Sequence, residues 1–321
     1  MSAFKEVAVL GVSNPTTLAP SHKTNTDLSP QRGNLAQTII PVLVAAGFNV
    51  TNIVRSKKDD DIVPGINSVV VDYTSQADLE AALRGKDVTI CAIAIESAPI
   101  QTVIIDAAIH AGVKRFIPSD FGSVSTDPRL SSVGVYVPVI GVQNYIKEKA
   151  AQGLIEYTII SPGAFTEMLL SAPLMVDQVG KTAEFWEDGQ NHISSTTMAG
   201  VGKAIVGALK APNESKNRNL LVHEFVLTQA QVLDLHKKHE PSTEWTITTI
   251  SDPKAALEKS EKAMADEPSV ENAFGVIKAT LMSGLFRAYY EKVDNDVVGL
   301  EKRSEADLEA ILVEIRKSNQ V

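Results

Sequence analysis

Glu6-Val-Ala-Val-Leu-Gly11, followed after a long interval by Gly33-Asn-Leu-Ala36, is the stretch on which the fold turns. Four consecutive apolar residues stopped by glycine suit a strand buried on both faces, as in a parallel sheet. Gly11-Val-Ser13 alone is too short for a phosphate-binding turn. If Asn14 to Arg32 is set aside, the remainder reads Gly-Val-Ser-Gly-Asn-Leu-Ala, a Gly-x-x-Gly-x-x-Gly/Ala layout. That spacing lets a tight turn lead from a strand into a helix whose N-terminal amides face a pyrophosphate. Excluding the segment also shortens the Gly11-to-Arg55 separation from 44 to 25 positions, the length of one strand-helix-strand start. The two halves therefore read as one motif split by an insertion; the competing reading is two unrelated turn glycines. The inserted 14–32 segment, with Pro15, Pro20, Pro30 and four threonines, must be a loop.

Working outward, the same rhythm repeats. Helical periodicity over Leu35–Gly47, with Pro41 inside, is followed by strands at Phe48–Val54 and Ser68–Val71, a helix at Asp78–Gly85 and a strand at Asp87–Ile93. A helix over Gln101–Gly112, a strand at Arg115–Pro118, a helix over Gln143–Gln152 and a strand at Tyr157–Ile160 complete it. Alternation at this spacing predicts a Rossmann-type, doubly wound parallel sheet of the α/β class. The expected division is residues 1–160 as a dinucleotide-binding domain and 161–321 as a smaller α+β substrate region. In the latter, Ala199–Leu209, Thr228–His239, Pro253–Ala265 and Glu305–Lys317 read as helices and Glu244–Ile250 as a strand.

Composition narrows the partners. Thirty Lys and Arg against 39 Asp and Glu give a net charge of −9, which offers a polyanion no global attraction, so nucleic acid is not expected. The single cysteine, Cys91, rules out an intrachain disulfide and reads as a core thiol. No apolar run suggests a signal segment or membrane span, so a cytoplasmic protein is expected. His236 and His239 stand three apart without the glutamate a zinc helix needs, and no metal is expected.

At the end of the second strand stand Arg55 and Lys58, where a site for NAD would carry a carboxylate. Two cations there suit a 2′-phosphate and favour NADP(H). The alternative is a solvated basic turn offset by Asp59-Asp-Asp61. Tyr145 and Lys149 form Tyr-x-x-x-Lys, one helical turn apart, and are the candidate catalytic pair, with Ser119 a third member. The competing reading has Tyr145 packed and Lys147 and Lys149 on a solvated face.

Gln101–Gly122, ending Ala-Gly-Val-Lys-Arg-Phe-Ile-Pro-Ser-Asp-Phe-Gly, carries a family likeness. It resembles the signature AGVKRFIPSEFG of the NmrA-like and isoflavone reductase-like atypical short-chain dehydrogenases, with Asp120 for the glutamate. Gly33-Asn-Leu35, Asp72-Tyr73, Ser161-Pro-Gly-Ala-Phe165 and Asp294-Asn-Asp296 extend the likeness. The resemblance implies NADP(H) bound by Gly11, Ser13, Gly33, Asn34 and Leu35 at the pyrophosphate and by Arg55 and Lys58 at the 2′-phosphate. It implies Ile93 and Gln101 near the cofactor, with Ser119, Asp120 and Phe165 at the nicotinamide end. The expected activity is reduction of a small aromatic or secondary-metabolite molecule. The alternative is a dinucleotide-binding redox sensor or transcriptional co-regulator with a protein partner, for which a nuclear location would also fit. One departure favours the sensor: the group's lysine, due between a Pro-Val pair and a Val-Gln-x-Tyr step, is absent from Pro138-Val-Ile-Gly-Val-Gln-Asn-Tyr145.

Overall fold

The computed structural model describes residues 4–11, 34–55 and 65–318. The 14–32 segment, Ser13, Gly33 and Lys58 lie outside them, as does the side chain of Asn34.

Along the chain run β1 (Glu6–Gly11), α1 (Asn34–Ala45), β2 (Asn49–Val54), β3 (Asn67–Val70), α2 (Gln76–Leu83), β4 (Val88–Ala92), α3 (Gln101–His110), β5 (Arg115–Ile117), α4 (Val137–Ala151) and β6 (Glu156–Ser161). The second half adds β7 (Ala164–Phe165), α5 (Thr166–Ser171), β8 (Thr182–Trp186), β9 (Ile193–Thr196), α6 (Met198–Lys210), α7 (Pro212–Ser215), β10 (Arg218–Leu221) and β11 (Phe225–Leu227). It closes with α8 (Gln229–His239), β12 (Thr246–Ile250), α9 (Pro253–Asp266), α10 (Val270–Met282), α11 (Asn295–Val298) and α12 (Glu305–Ser318).

The main sheet has seven strands in the order β10-β6-β5-β4-β1-β2-β3, with every pairing parallel. Strand β1 shows why both faces must be covered. Val7 and Val9 join the core built with α1 and α6, whereas Ala8 and Leu10 join the core built with α2, α3 and α4. This is the doubly wound arrangement, with helices on both faces. A third core, over the C-terminal half, gathers Leu169, Trp186, Phe225, Leu233 and Leu312. There β11-β9-β7 form a small sheet and β12 pairs with β8. Strand β10 leaves that half to join β6, from Arg218↔Thr158 to Leu221↔Ser161.

One helix begins earlier than its sequence suggests. The expected start at Gln143 is corrected to Val137, because Pro138 sits in the first turn, where a missing N–H breaks no helical hydrogen bond. Elsewhere, caps fix the helix starts. Ser75 accepts from Asp78 N–H at α2, Thr197 from Gly200 N–H at α6, and Thr228 with Gln231 forms a capping box at α8.

Candidate functional site

The sheet order changes direction at β1, which lies between β4 and β2, so a crevice opens beyond the C-terminal ends of these strands. Gly11 ends β1. A Cβ added there would lie 2.8 Å from the Ala36 Cβ, so the first turn of α1 rests directly on the strand end and only glycine fits. The Tyr73 hydroxyl lies 2.9 Å from the Gly11 carbonyl oxygen and 2.7 Å from that of Ile53, sharing its proton between the ends of β1 and β2. Arg55 follows β2, exposed on the same edge, and Leu35 is half-buried on α1.

A second set of contacts holds the ends of β4 and β5. The Ser119 hydroxyl donates to the Ile93 carbonyl at 2.7 Å, and the Ser119 N–H donates to Gln101 Oε1 at 2.7 Å. Gln101 is buried, so it braces this edge from behind. Asp120 is buried as well and accepts a 2.6 Å hydrogen bond from Gln143 Nε2, which also reaches the Ser125 carbonyl at 3.2 Å. The Lys147 ammonium donates to Gln143 Oε1 at 3.2 Å. Burial pushes the Asp120 carboxyl above the usual range, with Ser125, Gln143 and Lys147 opposing the shift. Above it, the buried Tyr290 hydroxyl donates to the Ser123 carbonyl, and its backbone N–H donates to Ser194 Oγ at 2.9 Å. Phe165 is half-buried on β7, opposite Thr196. The turn before it needs Gly163, at φ +72°, where a Cβ would fall 2.1 Å from the Ser194 carbonyl oxygen.

Tyr145 and Lys149 do share a face, with the ammonium 4.7 Å from the ring centroid. They face α3. The Tyr145 hydroxyl reaches both oxygens of Asp106, at 2.7 and 2.8 Å, and Lys149 stands 4.0 Å from the same carboxylate. Burial and the Asp106 carboxylate raise the phenol's pKa despite Lys149, opposite to the shift that readies a phenol to donate a proton at neutral pH. Gly11, Arg55, Ile93, Gln101 and Ser119 thus gather at one sheet edge, while the Tyr145–Lys149 pair lies in the contact between α3 and α4.

Sequence reading left Tyr73, Gln143 and Tyr290 without roles. Tyr73 directly follows a strand beside Asp72, and Gln143 interrupts an apolar helix face; both are visible signals of tertiary hydrogen bonding. His239 pairs with Glu309 at 2.9 Å, and among the described residues no group of His, Cys, Asp or Glu could hold a metal ion. No described helix is long and apolar enough to cross a membrane.

The NmrA-like family model matches residues 31–280. Among curated relatives, Oxidoreductase aprR of Aspergillus flavus is 27% identical over 292 residues, 83% of this chain and 96% of its own. Oxidoreductase poxI of Penicillium oxalicum is 29% identical over 217 residues, 66% of this chain and 69% of its own. Among solved structures, the leucoanthocyanidin reductase–NADPH complex of Vitis vinifera superposes with a TM-score of 0.70 at 15% identity, covering 96% of this chain and 98% of that one. The Citrobacter sp. triphenylmethane reductase complexed with NADP(H) gives 0.65 at 16% identity, covering 97% and 99%. At these identities the structural likeness concerns the fold.

Proposed function

This chain belongs to the NmrA-like family, and from that premise we propose that it is an NADPH-dependent oxidoreductase acting on a small aromatic or secondary-metabolite substrate. The observation that carries the reading is the fit at Gly11. Ala36 closes to 2.8 Å of the missing Cβ, and Tyr73 holds the ends of β1 and β2 together. The start of α1 is thereby seated where its N-terminal end can face a pyrophosphate. Arg55, with Lys58, would pair with a 2′-phosphate. Ile93, Gln101, Ser119 and Phe165 would border the nicotinamide end, with Ser119 held in place by its bonds to Ile93 and Gln101. Bound nicotinamide would supply the hydride. The chain's part is to seat the dinucleotide, orient the substrate beside Ser119 and exclude water.

A second reading rests on a specific observation. Reduction by hydride also needs a proton, yet residues 138–145 lack the family lysine and the Tyr145 phenol is bonded to Asp106. A dinucleotide-binding sensor would need no proton donor.

The test is a titration with NADPH and NADH, followed by fluorescence transfer from Trp186 and Trp245 to the reduced nicotinamide, in the wild type and in Gly11→Val. Saturable binding that favours NADPH and is lost in the folded Gly11→Val variant supports the cofactor site. Equal, unchanged signals in both proteins overturn it. Binding without oxidation of NADPH across a panel of aromatic carbonyl and quinone substrates selects the sensor.

A further inference from the structure

The second half of the molecule carries a ribbon of two parallel strands, β8 and β12, whose outer edges are finished differently. On β8, Thr182, Glu184 and Trp186 turn backbone groups away from β12, and these are met. Thr182 exchanges two hydrogen bonds with Asp177, at 2.8 and 3.2 Å. Gln229 covers the rest with its side-chain amide: Oε1 accepts from the Trp186 N–H at 2.9 Å, and Nε2 donates to the Glu184 carbonyl at 3.0 Å. The outer edge of β10 ends in a similar cover. There the Asp294 N–H donates to the Leu221 carbonyl at 2.6 Å, and its carboxylate accepts from the Leu221 N–H at 3.0 Å.

Strand β12 has no such cover. The Thr246 N–H donates to the Lys181 carbonyl and the Ile250 carbonyl accepts from the Glu187 N–H, so Thr246, Thr248 and Ile250 face β8. Successive residues of a strand alternate, so Ile247 and Thr249 aim their N–H and C=O groups outward. Among the described residues none meets these four groups, and no described element other than β8 runs along the strand. Residues 246 to 249 are exposed, Ile247 to 46%. Exposed edges are usually blunted by lysine, proline or a bulge. Thr246-Ile-Thr-Thr-Ile250 has no charge and no proline, and it pairs residue for residue with β8.

Symmetry and charge identify the missing neighbour. Two outward residues flanking one inward residue form a self-complementary set. If two copies turn antiparallel about a two-fold axis at Thr248, Ile247 of each stands opposite Thr249 of the other, and each such pair exchanges two backbone bonds. The two Thr248 side chains then meet in the close, non-hydrogen-bonded position, where threonine pairs are favourable. The flanks agree. The strand is entered past exposed Glu244 and left past exposed Lys254, so an antiparallel copy sets the acidic end of one beside the basic end of the other. Asp252 is spent as the cap of α9, and Lys254 makes only an exposed 4.0 Å pair with Glu258. We propose that β12 is a docking edge for a second copy of this chain, joining the two ribbons into one of four strands, β8-β12-β12-β8.

Sedimentation equilibrium of the full chain at low salt, up to about 100 μM, should show a reversible monomer–dimer equilibrium in the micromolar range. Thr249→Pro removes two of the four bonds across the axis and leaves every N–H that faces β8. It should raise the dimer Kd by about tenfold or more, with the melting temperature of the dilute monomer unchanged. The flank charges give a second reading that does not depend on how that variant folds. Glu244→Lys and Lys254→Glu should each weaken the dimer by about threefold, and the two combined should restore it. Cys91 is buried, so Thr248→Cys supplies the one accessible thiol. Mild oxidation should link two copies through residue 248, on the axis. It should not link them in Glu244→Cys, where the two thiols would stand roughly 27 Å apart. A chain that is monomeric at about 100 μM overturns the proposal and leaves the edge to an extended peptide of another protein. A dimer indifferent to a folded Thr249→Pro, a charge exchange without rescue, or equal cross-linking at 244 and 248 overturns it as well.

Discussion

The two edges of the main sheet are held by different chemistry. At the edge where the strands begin, the links are charged. Asp87 accepts from the N–H groups of Lys5 and Glu6 at 2.9 and 3.0 Å and from Lys114 Nζ at 2.8 Å. Arg115, 1% exposed, donates to Glu156, Thr158, Ser215 and the Pro212 carbonyl, joining β5, β6 and α7. At the edge where the strands end, the links are hydroxyls and amides: Tyr73 on Gly11 and Ile53, Ser119 on Ile93, and Gln101 on Ser119. Charged cross-links fix strand starts at high local strength. Neutral tethers hold the strand ends without themselves setting a fixed charge in the crevice, where the proposed site would admit an anionic dinucleotide.

The largest effect expected of this division is at Arg115. Arg115→Leu removes the buried donor shared by Glu156, Thr158, Ser215 and the Pro212 carbonyl, although Lys216 still pairs with Glu156, and should lower unfolding free energy in urea by about 3 kcal/mol. Affinity for NADPH should hold; a parallel loss of affinity would break the division between the edges.

Asp127 is an exception that sharpens it, a charged clamp in the connection between β5 and α4. It is buried and receives Arg129 Nε at 2.9 Å and the Arg287 N–H at 3.0 Å. Burial raises its pKa, but these hydrogen bonds and the Arg129 charge outweigh that and lower it from 3.8 to about 2. A depressed carboxyl contributes stability that is fully present above the unfolded value and is lost as pH falls through the folded one. Between about pH 4 and 2 the wild type should therefore lose about 2 kcal/mol more than Asp127→Asn. Parallel acid-unfolding curves would refute the clamp.

Arg55→Ala comes next. It should weaken NADPH by about tenfold and leave NADH within about twofold, since only the former offers a 2′-phosphate. Equal losses would move Arg55 out of coenzyme selection. The smallest effect is expected at Tyr145→Phe, with any turnover found staying within about twofold, because the phenol is engaged by Asp106. A drop of ~10² or more would make it the general acid after all.

How legible these edges were follows from what each signal depends on. Strands β1, β2 and β4 could be read because strands buried on both faces are continuous apolar runs bounded by glycine or polar residues. Strand β9 could not. Its residues Ile193-Ser-Ser-Thr196 look like a loop, yet all four are buried, with the hydroxyls spent on His223, Thr166 and the Pro162 carbonyl. Strand β10 opens on a charged Arg218 and is only four residues long. Helix α10 does carry a local start signal, the Ser269 cap, although it lies outside the helices expected from the sequence. At the site, Gly11 and Ser119 were visible through local spacing and family likeness. The Tyr73 bonds, the Gln143 bonds to Asp120 and Ser125, and the Asp127–Arg287 bond join residues 18 to 160 positions apart, and no local pattern encodes such a partner.

The return of β10 to the sheet also orders events during synthesis. Until the chain has been made as far as Leu221, β6 is an open edge, with the backbone groups of Thr158 to Ser161 lacking the parallel neighbour they acquire later. Until Lys210 has been made, the apolar face of α1 also lacks α6, whose Gly202 brings the two helices close enough that a Cβ there would lie 3.2 Å from Val42. An open strand edge beside an uncovered helix invites pairing with other nascent chains. A ribosome stalled between Ser161 and Arg218 should hold a collapsed but aggregation-prone Rossmann half, which becomes protease-resistant only once β10 and α6 have emerged.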